Sequence, residues 1–241
     1  MRRLSNREVL DIWERECSQP APLRALGLVA AALDCPLDDV MELPLGRRDY
    51  LLSCLRERLF GPELESVATC PQCQIELEMC LAASDVWQEY APATELALET
   101  AGYRIALRAP DTAVLLDMSQ CDSVAEARQR LLDNCVAATT EAGEAISAQD
   151  LPQPVVNAID EALEAADPQA SIQLAIQCQE CGHSWREVLD IQSFLWSEIH
   201  AWAPRLLREV HAIAVAYGWS EAEILSFSAW RRQFYLGMIG A

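Results

Sequence analysis

Two Cys-x-x-Cys pairs constrain the fold of this chain more than any other feature of its sequence. The first spans residues 70–73 (CPQC) and the second residues 178–181 (CQEC), with 104 residues between them. A Cys-x-x-Cys turn directs two sulfurs toward one point, and a structural Zn²⁺ takes four such ligands in a tetrahedron. We therefore predict that the two turns share one structural zinc ion. Its ligands would be Cys70, Cys73, Cys178 and Cys181.

The residues beside both pairs have the alternation of β-strands. Apolar and polar side chains alternate over residues 75–81, directly after the first pair, and over 172–176, directly before the second. A return strand is expected within 183–191 and a further strand within 103–109. Metal-binding turns next to strands are the zinc-ribbon pattern, here split by a long insert. Doubling the length of a loop raises the entropic cost of closing it by only about 0.6 kcal/mol. Binding of structural zinc to small peptides, by contrast, contributes about 10–16 kcal/mol to folding.

The sequence leaves open three alternatives to a zinc ion shared by the two cysteine pairs. A redox Cys-x-x-Cys normally opens a helix, and the strand predicted after residue 73 argues against that function. Separate metal ions would need further ligands, for which the sequence offers only His183, His200 and His211. Chance spacing is the third alternative, and the strand context of both pairs disfavours it.

The charge of the chain excludes some classes of partner. It has 37 Asp and Glu against 18 Arg, no Lys and a net charge of −19. Nucleic-acid backbones and anionic membranes require a basic face, so we expect neither partner. The longest apolar run, residues 25–33, has nine residues, whereas a membrane helix needs about 20. Since the N-terminus also lacks the apolar segment of a signal peptide, we predict a cytoplasmic protein.

A cytoplasmic location bears on the remaining cysteines, because reducing compartments disfavour disulfides. The six cysteines outside the pairs are expected to be small, buried, apolar side chains. They are Cys17, Cys35, Cys54, Cys80, Cys121 and Cys135.

The predicted fold class is α+β, mainly helical: a split four-cysteine zinc ribbon with a helical insert, flanked by N- and C-terminal helices. Pro204 interrupts the apolar periodicity of the C-terminal part and predicts a kink or a restart near Ala203. The predicted regions are an N-terminal helical region (1–62), the first half of the ribbon with the following strands (63–110), an acidic helical insert (111–168), the second half of the ribbon (169–191) and a C-terminal helical region (192–241).

No catalytic motif stands out in the sequence. There is no nucleophile elbow, no phosphate loop and no H-E-x-x-H motif, and three His residues offer little acid–base material. Four Cys ligands would close the zinc shell and leave no position for a reactive water. We therefore expect no enzymatic activity and no catalytic residues.

Residues 43–82 and 170–239 resemble a family of baseplate-associated proteins, the T-even-type baseplate hub assembly chaperones of contractile phage tails and phage-tail-like injection systems. The segments that carry the resemblance are LPLGRRDYLLSCLRERLFG, TCPQC with its following strand, IQCQECGHSW and LLREVHAIAVAYGWSEAEIL. Where ribbons often have Gly after the first pair, this chain has Gln74.

The resemblance implies a non-enzymatic assembly factor or a structural component of the baseplate or hub. It also implies a structural zinc on the four paired cysteines, baseplate, hub or spike proteins as partners, and a place in the assembled particle or only in its assembly. Two alternatives remain: a zinc-dependent enzyme, and a zinc-ribbon adaptor in another macromolecular complex such as the transcription machinery.

The C-terminal aromatic residues are candidates for an interface. Core packing is expected for most of Trp196, Trp202, Trp219 and Trp230. If the run Trp230-Arg231-Arg232 stays on the surface, it would suit an interface anchor.

Overall fold

The computed structural model describes residues 1–24, 26–89 and 96–239. The chain divides into two compact units: residues 1–35 with 192–241 form the terminal unit, and residues 36–191 form the central unit. Charge divides in the same way. The central unit holds 28 of the 37 acidic residues and 9 of the 18 Arg, and so carries the whole net charge of −19. The terminal unit, with nine residues of each sign, has no net charge.

Helices account for most of the secondary structure, and two short 3-10 turns, Ala148–Asp150 and Pro168–Ala170, accompany them. The α-helices within the described residues are α1 (Asn6–Glu16), α2 (Ala21–Arg24), α3 (Leu26–Leu33), α4 (Leu37–Met41), α5 (Leu45–Phe60), α6 (Ala83–Val86), α7 (Thr112–Met118), α8 (Val124–Cys135), α9 (Gln153–Ala166), α10 (Ile191–Tyr217), α11 (Glu221–Ser226) and α12 (Ala229–Ile239).

The strands of the described residues form three separate antiparallel sheets, all in the central unit. The first sheet pairs β1 (Glu63–Thr69) with β2 (Glu76–Ala82); the second has the order β3 (Leu96–Thr100), β4 (Tyr103–Leu107), β5 (Val136–Thr140) and β6 (Ala145–Ile146); the third pairs β7 (Gln173–Gln177) with β8 (Ser184–Val188). The mixed fold with predominant helix agrees with the prediction.

The terminal unit is built around the apolar stripe of α10. Its core combines residues of α1, α10 and α11. Pro204 lies inside α10, which continues without a restart, so of the predicted kink or restart near Ala203 the restart is wrong and the kink stays a prediction. Ala203 and Leu206 are both fully or almost fully buried on either side of the proline. Packing of these side chains offsets the local cost of proline, about 3 kcal/mol in a helix interior.

Local signals in the sequence set the helix ends of the terminal unit. Ser5 caps α1 in a capping box with Glu8, and Ser220 caps α11 in the same way with Glu223. Gly218 follows the last residue of α10 with a φ of 68°, in the left-handed region that glycine adopts at no steric cost. The apolar segment after α1 contains α2 and α3; Ala25 lies outside the described residues.

The capping box of α1 predicts a defined loss of stability in acid. The backbone N–H of Ser5, its hydroxyl and Arg2 all stabilise the carboxylate of Glu8 and lower its pKa from 4.5 to about 2. Because this pKa lies below that of the unfolded chain, the stabilisation is complete above about pH 4.5 and is lost as the pH falls toward 2. We expect the difference in melting temperature between wild type and Glu8→Gln to shrink over that window. A difference that stays constant from pH 6 to pH 3 would contradict this assignment.

The acidic insert is only partly helical. The predicted helices are present as α8 and α9, but β5 and β6 lie between them and extend the sheet that β3 and β4 begin. Strand β5 starts at the residue after α8 ends, in a short Ala- and Thr-rich segment that has no clear alternation. Helix α9 packs on this sheet. The core between them consists of Ile105, Leu107, Leu132, Ala138, Ala148, Leu151, Val155, Val156 and Ile159.

A buried polar junction ties the end of the insert to the start of α5. The backbone N–H of Gly46 donates to Oδ2 of Asp167, at 2.8 Å, across 121 residues of sequence. Nearby, Arg48 donates to Oγ1 of Thr112 at 3.2 Å and to Oδ1 of Asp49 at 2.7 Å. Helix α5 begins at Leu45, so Gly46 lies in its first turn.

Candidate metal centre

Each Cys-x-x-Cys pair lies in the turn of a β-hairpin. The first turn connects β1 to β2 and the second connects β7 to β8. The pairing closes at Thr69 with Glu76 in the first hairpin and at Gln177 with Ser184 in the second. Strand β1 was not predicted, since its apolar inward positions are only Leu64 and the small Ala68. Both pairs therefore have a strand on each side. Neither pair opens a helix, as a redox Cys-x-x-Cys normally does.

The two turns have the same backbone hydrogen bonds. In each, the N–H of the first cysteine donates to the carbonyl five residues later, and the N–H four residues later donates back to the carbonyl of that cysteine. The N···O distances are 2.9 and 2.9 Å in the first turn and 2.8 and 3.0 Å in the second. This pattern folds the chain so that both cysteine side chains of a turn project to the same side.

The residue after the second cysteine of each turn has a left-handed backbone. Gly182 has a φ of 74°, and Gln74 has a φ of 61° at the corresponding position of the first turn. A non-glycine residue costs about 1–2 kcal/mol in this conformation. The side-chain amide of Gln74 donates to the carbonyls of Cys70 (3.3 Å) and Pro71 (3.1 Å), which offsets part of that cost. The unusual residue noted in the sequence therefore keeps the turn geometry.

The structure brings the four predicted sulfurs into one cluster. All four Sγ atoms lie within 4.8 Å of one another. The closest approaches are between the two turns: 3.7 Å from Cys70 to Cys181 and 3.6 Å from Cys73 to Cys178. A tetrahedron of sulfurs around a metal at 2.3 Å has S···S edges of about 3.8 Å. The spacing of the thiols thus fits one four-coordinate ion, and all four cysteines are free of disulfides.

The electrostatics of the cluster favour a cation between the sulfurs. Burial acts to raise the pKa of Cys70, but hydrogen bonds from the backbone N–H groups of Cys73 and Gln72 and from the thiols of Cys73 and Cys181 together outweigh it and bring the pKa to about 7. At Cys73 the backbone N–H of Ile75 lowers the pKa, while burial and the three neighbouring sulfurs raise it to about 12. Four thiolates this close therefore need a positive charge between them, and soft thiolates prefer a metal such as Zn²⁺.

Burial is uneven across the cluster. Cys70 and Cys178, the first cysteine of each turn, are enclosed, whereas Cys73 is half-buried and Cys181 is exposed. His183 belongs to no metal-ligating group of the described residues; its ring stacks on Trp185 with the centroids 6.0 Å apart. Within the described residues this is the one group of three or more Cys, His, Asp or Glu with metal-binding geometry.

The remaining cysteines depart in part from expectation. Cys135 is buried, and burial raises its pKa to about 11, as expected for an inert apolar side chain. Cys17 and Cys80 are exposed, so the prediction of burial is wrong for these two. Cys80 lies on the solvent side of β2, where the alternation of the strand places the polar residues Glu76 and Glu78. Its position in the alternating pattern, rather than its residue type, determines its exposure.

The fold and the site together define a mixed α/β protein with a candidate structural metal centre in its central unit. The family model described as T4 bacteriophage base plate protein matches residues 29–196, more than half of the chain, and the chain belongs to this family. Membership indicates a structural or assembly role in a phage baseplate and contacts with other baseplate components.

The matched range contains both cysteine turns and the whole insert between them. It ends six residues into α10, whereas the resemblance noted in the sequence continues to residue 239. No curated protein and no solved structure matches the chain. Among the described residues, no helix combines the length and the apolar character that crossing a bilayer requires.

Proposed function

We propose that the chain is a non-enzymatic assembly factor or structural component of the baseplate or hub of a contractile phage-tail-like particle. The observation that carries this proposal is the family match over residues 29–196. The resemblance of the cysteine turns and of the C-terminal segment to baseplate-associated proteins of injection systems supports the narrower assignment to a contractile particle.

We further propose that the chain uses a structural Zn²⁺ held by Cys70, Cys73, Cys178 and Cys181. The thiols converge at the spacing of one tetrahedral ion, and each comes from the turn of a two-stranded hairpin. An isolated two-stranded hairpin is marginally stable in water. A metal shared by both turns fixes β1–β2 to β7–β8 and completes a split zinc ribbon. When bound, the ion would cross-link the two hairpins and neutralise the negative charge of the thiolates.

The donor set argues for structure rather than catalysis. Four thiolates fill the tetrahedral shell of zinc, whereas catalytic zinc keeps a position for water or substrate. The hairpins also carry carboxylates near the turns, at Glu65, Glu76, Glu78 and Glu180. This local negative charge disfavours the nucleic-acid contacts that zinc ribbons of a transcription adaptor would make. The enzyme and adaptor alternatives therefore have no observation in their favour.

The baseplate assignment is tested in a strain that encodes this chain and produces tail-like particles. We expect deletion of the coding sequence to prevent complete particles from forming, and complementation to restore them. Mass spectrometry of purified wild-type particles then separates the two roles: a fixed number of copies per particle identifies a structural component, and absence identifies an assembly factor. Normal particle yield and morphology without the chain would refute both.

A further inference from the structure

Helix α12 is firmly anchored to the terminal unit by one face. Tyr235 and Leu236 pack against the core of that unit. Arg232, 3% exposed, pairs with Glu209 at 2.9 Å and donates to the carbonyl of Phe227 at 2.8 Å. These contacts fix the orientation of the helix, so its opposite face is presented to solvent as a defined surface.

The opposite face carries large apolar side chains that the chain itself does not cover. Trp230, Phe234 and Met238 follow one another at intervals of four residues and are 76%, 57% and 48% exposed. We call these three residues the α12 stripe. The rings of Trp230 and Phe234 stack, with centroids 5.8 Å apart and planes inclined by 23°. Gly237 lies on the same face, and a Cβ added there would meet nothing within 4 Å.

Exposure separates Trp230 from the other tryptophans of the C-terminal part. Trp196 is buried, and Trp202 and Trp219 are partly buried against the core, as expected for core packing. Trp230 is on the surface, as its proposed role as an anchor requires. Arg232 does not meet the condition set for an anchor, because it is buried in its ion pair with Glu209.

The charge beside the α12 stripe is positive. The helix contains Arg231 and Arg232 and no acidic residue. Glu209 neutralises Arg232. The guanidinium of Arg231 lies 4.1 Å above the ring of Phe227 and donates to the hydroxyl of Tyr235 at 3.3 Å. No carboxylate of the described residues pairs with it, so one exposed cation flanks the apolar stripe.

We propose that the α12 stripe docks into an apolar groove of a different protein that carries carboxylates at its rim. Exposed aromatic and Arg side chains in this arrangement are typical anchors of protein interfaces, and a helix face with anchors four residues apart fits a groove. We expect carboxylates at the rim of the groove because they would pair with the exposed guanidinium of Arg231. The docking surface itself does not depend on the proposed function. Only the identification of the partner as a baseplate component rests on that function.

A second copy of this chain is the poorer occupant of the same surface. The α12 stripe belongs to the terminal unit, which has nine residues of each sign, so the same unit of a second copy offers Arg231 no excess of carboxylates. Pairing of two α12 stripes about a two-fold axis would also bring each Arg231 toward its symmetry mate. The charges therefore favour a heterologous partner.

The test places a photo-crosslinking p-benzoyl-phenylalanine at position 230 or 234 of the full-length chain in a particle-producing strain. The matched control places it at position 215, where Val215 is a solitary apolar residue of α10 with 73% exposure. We expect one discrete crosslinked product at 230 and 234, at least tenfold stronger than at 215. Mass spectrometry should identify in it a protein with a carboxylate-rimmed apolar groove. Arg231→Glu should reduce the product at least fivefold, and Arg208→Glu on α10 should leave it unchanged.

Three outcomes would contradict the docking proposal. Crosslinking no stronger than at position 215, a product that contains only a second copy of the chain, or a product insensitive to Arg231→Glu would overturn it. A groove protein that is not part of the particle would keep the docking surface and refute only the identification of the partner as a baseplate component; the baseplate assignment itself is tested by the deletion. The two proposals thus fail separately.

Discussion

Cys178→Ser is expected to abolish stoichiometric zinc binding and to lower the free energy of unfolding of the central unit by more than about 4 kcal/mol. Loss of a structural metal is among the largest effects that a single substitution can have on stability. Cys178 is 1% exposed and its sulfur lies 3.6 Å from that of Cys73. A hydroxyl in its place is a far weaker zinc ligand, and the two hairpins lose their common cross-link. Metal analysis of the purified protein and chemical denaturation provide the two measurements.

The matched control is Cys80→Ser. Cys80 lies on β2 of the same hairpin, is exposed and takes no part in the sulfur cluster. This variant should retain about one zinc per chain and change the free energy of unfolding by less than about 0.5 kcal/mol. Zinc-free wild-type protein, or a Cys178→Ser variant as stable as Cys80→Ser, would rule out a structural metal.

Acid should release the metal from the wild-type protein. Because zinc binds thiolates, lowering the pH makes protons compete for the four sulfurs and weakens binding. The released chain should then resemble the Cys178→Ser variant in stability. Removal by a chelator at neutral pH should give the same state, which separates metal loss from the general effects of acid.

The cysteine cluster could be predicted from sequence because its signals are local. Each pair has the spacing of a metal turn, and the alternation at 75–81 and 172–176 shows which structure surrounds it. The structure brings the sulfurs together, and binding of zinc stays a proposal. Gln74 shows the limit of such signals, since a side-chain amide replaces the conformational freedom of the expected glycine through two hydrogen bonds that no spacing rule reveals.

The features that sequence did not predict depend on distant parts of the chain. Strand β5 is specified by pairing with β4, from Tyr103 with Thr140 to Leu107 with Val136, rather than by its own Ala-rich sequence. The continuity of α10 through Pro204 is likewise set by burial on both sides of the proline. Tertiary packing overrides weak local preference at both places.

Gly46→Ala is the second substitution with a large expected effect, and its cause lies 121 residues away. An added Cβ would come within 1.8 Å of Oδ1 and 2.8 Å of Cγ of Asp167, and within 3.0 Å of the backbone nitrogen of Ala170. The carboxylate cannot move aside without losing its hydrogen bond to the N–H of Gly46. Asp167 is only 3% exposed, so a displaced carboxylate stays buried without a partner.

Overpacking costs about 1–3 kcal/mol, and loss of a buried charge-assisted hydrogen bond costs a similar amount. We therefore expect Gly46→Ala to destabilise the central unit by about 3 kcal/mol or more, measured by chemical denaturation and by faster hydrogen exchange of the α5 amides.

Two further variants determine whether the clash with Asp167 is the cause. Gly237→Ala makes the same change inside a helix where a Cβ meets open space, and it should stabilise by up to about 1 kcal/mol, the difference in helix propensity. Asp167→Gly removes the carboxylate and should destabilise the wild-type background. In the Gly46→Ala background it should cost much less, because the two side chains no longer compete for one volume, and the coupling energy should exceed about 1 kcal/mol. Additive effects in this double-mutant cycle would show that Gly46 is required for another reason, and that the end of the insert does not hold α5 through this contact.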